Sequence, residues 1–459
     1  MHTLQLVLWS GILLYFGLLL LNVLLCLQSF PALQRHARRL RTFRHLEAVD
    51  QTSLTPMSLV LPLSRLSVSN VMQWLAQDYP DLEYILVHDQ VTPQVMLTWR
   101  ERLKLKPTAR FPVGDLNTAT VQGVYQGEDN PRIWFIDKAP SHLSDSLNTG
   151  LNFCQTPLIA IVSGEVYPEP GVFQQSGRLF LEDKHICGVS GRIRSLHRPE
   201  KRQPEVPANG WGMFEVIFEQ FQQFLRWTPY THHKIFYEMS PFYSVFRRAN
   251  LLESGGFTGQ YQSFMVDVVR NLQDLAQRRG QQAFFHFLPD TLGWKAAAES
   301  RRDLQSFFTY HQQVARRLLS LNIPFKAKLF RVLNNLGVPF AFVYAQIAAL
   351  ALAILIHPAY LLLIPAQFLG ALVLAIWALR AGEFSSRRYT KTDLFFLLRR
   401  VWRFVFFWPF FICIQQLMGW CRGPQPLRET ARDAVTHPSP LRYTAPLDFD
   451  ESMDFDGGV

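Results

Sequence analysis

Apolar and polar positions divide the chain into stretches of very different character. Leu4 to Leu27 carries no charged residue over about 24 positions, and a helix needs about 20 apolar residues to cross a bilayer. Val338 to Leu379 is almost as free of charge and long enough for two spans, with a break near His357-Pro358. Leu394 to Trp420 is rich in Phe and Trp but has Arg399, Arg400 and Arg403 near its start. It either spans the membrane or lies along its surface. The first run reads as a retained anchor. It is too long for a signal peptide, no basic residues precede it, and no small-x-small cleavage site follows.

Between these runs, from about Phe30 to Lys328, the pattern is that of a soluble domain large enough to bury a full core. "MSLVLPLS" (Met57 to Ser64), "EYILVHDQV" (Glu83 to Val91), "RIWFIDK" (Arg132 to Lys138) and "PLIAIVS" (Pro157 to Ser163) read as buried strands. "SVSNVMQWLAQDYPDL" reads as a helix with Val71, Trp74 and Leu75 at helical spacing, ended by Tyr79-Pro80, and another helix is expected around Asp145 to Cys154. "FYSVFRRANLLESGGF" reads as a strand, a short helix and a Gly255-Gly256 turn. "SFMVDVVRNLQDLAQRRG" is a helix stopped by Gly280, "QAFFHFLPD" a strand, and Arg301 to Leu319 a basic helix. Strands alternating with helices predict an α/β, doubly wound parallel sheet. Ligands of such sheets bind at the carboxyl ends of strands. His88-Asp89 and Ser163-Gly164-Glu165 both fall there, bordering one crevice.

Charge refines the topology. The net charge is +10, and basic residues cluster just after the first run, at Arg35, Arg38, Arg39, Arg41 and Arg44. More lie between the second and third apolar segments, at Arg380, Arg387, Arg388 and Lys391. Cytoplasmic loops carry such excess, so the expectation is an integral membrane protein of the bacterial inner membrane with its main domain in the cytoplasm. No basic-aromatic module is present, so the basic balance points to the lipid bilayer and not to nucleic acid. The five cysteines are scattered without a CxxC spacing and read as reduced thiols, with Cys154 and Cys187 in the core. His232-His233 and Glu238 match no zinc spacing and read as a surface loop. The expected organisation is an anchor over 1–29, a cytoplasmic domain over 30–330, a membrane region over 331–420, and a disordered, Pro-rich and finally acidic tail over 421–459.

Taken in order, "LVLPLS", "LAQDYPDLEYILVHD", "LNTGLNFCQTPLIAIVSGEVYPEPG" and "FRRANLLESGGF" resemble the inverting family-2 glycosyltransferases of GT-A type, specifically the membrane-integrated synthases and glycolipid transferases. The resemblance covers roughly Met57 to Arg317. It implies a GT-A-type doubly wound mixed sheet flanked by one N-terminal and two or three C-terminal transmembrane helices. It further implies a nucleotide-diphosphate sugar as donor and a lipid or glycan as acceptor. Other subunits of polysaccharide synthesis would be partners.

The family's chemical motifs are only partly kept. Its Asp-Asp at the second strand end is His88-Asp89 here, which the resemblance makes nucleotide-binding. Its DxD, which holds Mg2+ or Mn2+ against the leaving diphosphate, is Ser163-Gly164-Glu165, leaving Glu165 as the metal residue. No intact ED motif follows the GG turn, and Asp267 takes the place of its catalytic base. QxxRW becomes Gln313-Val314-Ala315-Arg316-Arg317, so Gln313 and Arg316 would reach the diphosphate or product. Each site has a plain structural alternative. Asp89 would cap a strand, His88 would be a solvated loop residue, and Asp267 a helix-surface acid pairing with Arg270 three residues on. Gln313 and Arg316 would then belong to an interfacial basic helix. If active, the chain is a glycosyltransferase; the alternative is a catalytically silent relative, a structural or regulatory subunit of a polysaccharide synthase assembly.

Overall fold

The apolar runs of four to eight residues become sheet strands and the amphipathic stretches become the helices that cover them. The computed structural model describes residues 2–46, 54–63, 68–89, 93–163, 165–197, 206–258, 264–333, 337–381, 397–405, 410 and 413. Most of Leu394 to Trp420, the residues 421–459 and Gly164 lie outside the described residues.

A long helix α1 (His2–Leu46) precedes β1 (Met57–Pro62), α2 (Val68–Leu75), β2 (Leu82–His88), α3 (Pro93–Arg102), β3 (Leu105–Pro107) and β4 (Val121–Gly127). Next come β5 (Ile133–Lys138), α4 (Leu143–Phe153), β6 (Leu158–Val162), β7 (Tyr167–Pro168), α5 (Val172–Glu182) and β8 (Ile186–Leu196). The second half holds α6 (Gly210–Gln222), α7 (Thr228–His232), β9 (Tyr243–Arg247), α8 (Arg248–Glu253), α9 (Phe264–Arg278) and β10 (Phe284–Ala296). It ends in α10 (Arg301–Ser320), α11 (Phe325–Val332), α12 (Val338–Leu355) and α13 (Leu363–Ala381).

The ten strands form one sheet in the order β3-β4-β5-β2-β1-β6-β9-β8-β10-β7. β5, β2, β1 and β6 run parallel, and β8 and β10 run parallel to each other. β9 lies antiparallel between β6 and β8. Two antiparallel pairings thus return β8 and β10 to the direction of β6. The carboxyl ends of β2, β5, β6, β8 and β10 therefore share one edge. The central strands are buried on both faces, which is why they read as unbroken apolar runs. Alternate residues feed two cores. Val60, Ile85, Val87 and Ile136 pack with Leu147 and Leu151 of α4 and Val269 of α9. Leu59, Leu61, Leu86 and Phe135 pack with Trp74 of α2, Trp99 of α3 and Phe173 of α5. At Gly150 a Cβ would meet Val60 Cγ1 at 2.4 Å, so α4 sits on β1 as closely as only glycine allows.

The parallel sheet expected from strand–helix alternation is in fact mixed, the arrangement that the family resemblance implies. β3, β4, β7 and β8 and the helices α3, α5, α6, α7 and α11 have no counterpart among the elements read from the sequence. Gly255, Gly256 and Gly280 all have positive φ, at the turns where the sequence places them.

α1 packs against α12 through Leu8, Ile12, Tyr15 and Leu18 on one side and Ala341, Phe342, Ala345 and Ala348 on the other. His2–Leu21 and Val338–Leu355 are long and apolar enough to cross a membrane, and Pro358–Val373 is a shorter apolar helix. The break between them falls at His357, whose Nδ1 accepts from the Ala359 N–H at 3.1 Å.

Candidate functional site

The carboxyl edge at β2 and β5 gathers buried charge. Asp89 follows β2 directly and is 8% exposed. Its Oδ2 accepts from the Ser146 hydroxyl of α4 at 2.8 Å, and its Oδ1 is buried with no hydrogen-bonding partner among the described residues. His88, the last residue of β2, pairs through Nδ1 with Asp137 Oδ1 at 2.8 Å and stacks on Phe135. Its Nε2 is buried and likewise without a partner among the described residues. A His at 2% exposure is not the solvated loop residue that the sequence allowed. The strand's alternation turns the two side chains to opposite faces: Asp89 toward α4, His88 toward the side of Phe135. The doublet is therefore two separate polar positions.

Beside them, Lys138 ends β5 fully buried, with Nζ 2.6 Å from Asp145 Oδ2 and bonded to the Ser141 hydroxyl. Asp145 lies in the first turn of α4, where the helix favours negative charge. Burial alone would raise its carboxyl, but Lys138, Ser141 and the Ala119 N–H hold it below the usual carboxylate range. Asp137, Lys138, Asp145 and Ser146 were not singled out in the sequence. The signal was there in "IWFIDK", an apolar strand that ends in two opposite charges. With two of its three acids held by Lys138 and His88, this edge offers Asp89 as its open acceptor.

At the end of β6 the donors are fewer. Ser163 gives its N–H to Phe242 O at 3.0 Å, and Glu165 is exposed on the following turn, its own N–H 3.4 Å from Ser163 Oγ. Among the described residues no three His, Cys, Asp or Glu side chains converge to hold a metal ion. A hard cation takes six or more oxygens, usually with more than one carboxylate from an all-protein site. The described residues around Glu165 do not supply that set. Glu169, four residues on, is buried against the Trp294 indole N–H.

Asp267 stands in the first turn of α9, 7% exposed. Arg270 lies 3.5 Å from its Oδ1, the i,i+3 pair expected of a helix acid, and Arg317 Nη1 lies 3.2 Å from its Oδ2. Arg317 occupies the Trp position of the family's QxxRW. The residue that departs from one motif is the partner of the acid that departs from the other. Gln313 is half-buried and Arg316 exposed on the same helix, α10. The structure thus joins Asp267 to the Gln313–Arg317 stretch, while Asp89 and Glu165 sit at separate strand ends of the carboxyl edge.

A second buried cluster went unread in the sequence. Lys295, near the end of β10, pairs with Glu215 and lies 3.4 Å from Glu219, both on α6. Ser195 of β8 bonds to Glu215 at 3.0 Å and to Glu219 at 2.9 Å, and the Ala298 N–H reaches Glu215 at 2.7 Å. Burial and the neighbouring Glu215 charge push the Glu219 carboxyl up, against the pull of Lys295. Burial would lower the Lys295 ammonium, but the two glutamates hold it well above its usual range. Two acids four residues apart in the otherwise apolar "WGMFEVIFEQF" were the available sign.

Glu238, expected on a surface loop, is instead tied into the fold. Arg331 Nη1 stands 3.5 Å from it and His311 Nδ1 3.9 Å, the latter too far for a hydrogen bond. Burial would raise its carboxyl, yet the nearby charges of Arg331, His311 and Arg226 outweigh that and hold it below the usual carboxylate range. A depressed carboxyl stabilises the fold above its unfolded value and loses that contribution as pH falls toward the folded one. Glu238 is therefore expected to stabilise the fold near neutral pH, a contribution lost as the pH falls below roughly 5. Acid unfolding of Glu238→Gln should show a shallower pH dependence over that window; an unchanged profile contradicts the assignment. Cys154 is fully buried and its thiol is pushed up to about 12 by burial, an inert core residue as expected. Cys187 is only partly buried.

No family model matches the chain, and no curated protein matches it. Solved structures do. The mannosyltransferase PcManGT from Pyrobaculum calidifontis, in complex with GDP-Man and Mn2+, is 15% identical over 83% of this chain and 98% of its own, with a TM-score of 0.44. TarS 1-349 of S. aureus, in complex with UDP-GlcNAc, is 11% identical over 76% of this chain and 90% of its own, at 0.35. Glucosyl-3-phosphoglycerate synthase from Mycobacterium tuberculosis, with phosphoglyceric acid, is 14% identical over 60% and 82%, at 0.34. At such scores the likeness is loose.

Proposed function

We propose that the chain is a membrane-anchored glycosyltransferase-like protein that binds a nucleoside-diphosphate sugar at the carboxyl edge of its sheet. It passes the sugar, with inversion, to a lipid or glycan acceptor of cell-surface polysaccharide or glycolipid synthesis. The observation that carries this is Asp89, whose buried Oδ1 lacks a partner at a strand end where doubly wound sheets bind ligands. A buried carboxylate oxygen left unpaired costs free energy, and a base N–H or ribose hydroxyl meets that need. The edge around it is acidic, which suits the uncharged nucleoside half of a donor and sets the diphosphate further along, toward the ends of β6 and β8. Asp267 is the carboxylate that α9 offers to an acceptor hydroxyl, and Arg270 and Arg317 fix its direction. Gln313 and Arg316 lie on the same helix, where the exposed guanidinium suits a phosphate. The two apolar helices, with Leu6, Leu13, Ile354 and Leu355 exposed, support a bilayer around α1 and α12. The soluble part then spans 30–330 on the cytoplasmic side of a bacterial inner membrane.

Calorimetric titration of the detergent-purified chain with UDP and GDP, in Mn2+ and in EDTA, tests this reading. Binding of either nucleotide supports it; no binding under any condition defeats it. A gain in affinity with Mn2+ that Glu165→Ala abolishes would assign Glu165 to a metal, and a gain that survives the change would rule that role out.

A further inference from the structure

The loop over 108–120, which joins β3 to β4, borders an open, shallow pocket of about 550 Å3 beside α4, within the roughly 300–1,000 Å3 range of small-molecule sites. Its fixed wall is Arg110 and Asn152. Arg110 is buried, with Nη2 at 2.6 Å from both Glu83 Oε1 and Phe153 O and its guanidinium 4.0 Å over Trp134. Glu83 and Trp134 stand at the beginnings of β2 and β5, so this end of the pocket lies at the opposite edge of the sheet from Asp89. Asn152 uses both ends of its amide on the Leu116 backbone, at 2.8 and 3.1 Å, which pins the loop down. The groups left for a ligand are the Asp115 carboxylate, the Asn117 amide and the Thr118 hydroxyl, with Leu116 and Val121 as an apolar floor. None of the three polar side chains is engaged by another described residue. Between Arg110 and Pro112 of the lining, Phe111 is 79% exposed.

We propose that this pocket is a second ligand site, one that takes a neutral carbohydrate. Its cation is already neutralised by Glu83, and Asp115 repels anions, so phosphates and carboxylates fit poorly. One carboxylate is too few for a metal ion. Donors and acceptors grouped beside an apolar floor suit a ligand with hydroxyls on one side and C–H groups on the other. A sugar has that character, and an exposed aromatic ring such as Phe111 offers its C–H face a flat partner. The Arg110 end of the pocket lies away from the nucleotide edge, while its Thr118–Val121 end reaches the carboxyl end of β5, where Val121 pairs with Lys138. The pocket would hold the non-reacting part of a glycan acceptor or product whose other end points to that edge. The proposal rests on the glycosyl-transfer reading only for the source of that glycan.

The full chain, purified in a detergent without a sugar headgroup, would be titrated with maltotetraose, cellotetraose, mannotetraose and chitotetraose, and with inorganic phosphate. At least one tetrasaccharide is expected to bind. The double variant Asp115→Ala, Asn117→Ala, which alters only exposed side chains, should weaken it tenfold or more. UDP and GDP affinities of that variant should stay within twofold of the unmodified chain. Absence of binding by all four sugars overturns the proposal, as does binding that the double variant leaves unchanged or phosphate binding that the variant abolishes. If nucleotides fail to bind but a variant-sensitive tetrasaccharide does, the pocket assignment stands and the transfer reading falls.

Discussion

Replacing Asp89 with Asn is expected to weaken UDP or GDP binding by roughly 10- to 100-fold, the worth of a hydrogen bond to a charged group. The amide keeps an acceptor for the Ser146 hydroxyl at 2.8 Å, so the strand end and α4 stay joined. What it loses is the charged oxygen that has no partner among the described residues. Affinity should therefore fall while the melting temperature moves by no more than a few degrees. Calorimetry and thermal unfolding of the same preparation separate the two effects. Equal affinity in the variant would mean that Asp89 is the strand cap that its plainest reading makes it, and the nucleotide would have to lie elsewhere.

The largest effect on stability is expected at Lys295. Changing it to Met removes the ammonium that pairs with buried Glu215 and Glu219, leaving only the weaker charge of Arg192 on Glu219, and uncompensated buried charge costs about 3–5 kcal/mol. For a chain of this size that corresponds to a fall of roughly 10 °C in melting temperature. Adding Glu215→Gln and Glu219→Gln to the Met variant removes the stranded charges and should recover much of the loss. A Met variant that melts with the unmodified chain would show that the cluster does not join α6 to β8 and β10 as the distances indicate.

How much of this was legible beforehand depended on the kind of information each element carries. β1, β2, β5 and β6 are buried on both faces, so each is written as an apolar run between polar breaks, and such runs are easy to read. β8, "ICGVSGRIRSL", hides Arg192 and Arg194 within its buried length and breaks the apolar pattern. β4 is half-exposed and short of apolar residues, and it belongs to the sheet through its pairing with β5. The turn glycines were legible because positive φ restricts the residue type. Asp89 was legible as a strand-end acid. Its partner Ser146 was not, since 57 positions of chain separate them and only the packing of α4 brings them together. His88 looked exposed because sequence does not show that Phe135 and Asp137 close over it. The Asp267–Arg317 pair is the same case: each departs from a family motif when read alone, and only contact between α9 and α10 shows that the two departures meet.

The most direct measurement is a structure of the detergent-solubilised chain with UDP or GDP bound. The account predicts the nucleoside against Asp89 at the carboxyl ends of β2 and β5, with the diphosphate extending toward the end of β6. A nucleotide seated under the β3–β4 loop beside Arg110, or anywhere that leaves Asp89 untouched, would contradict it.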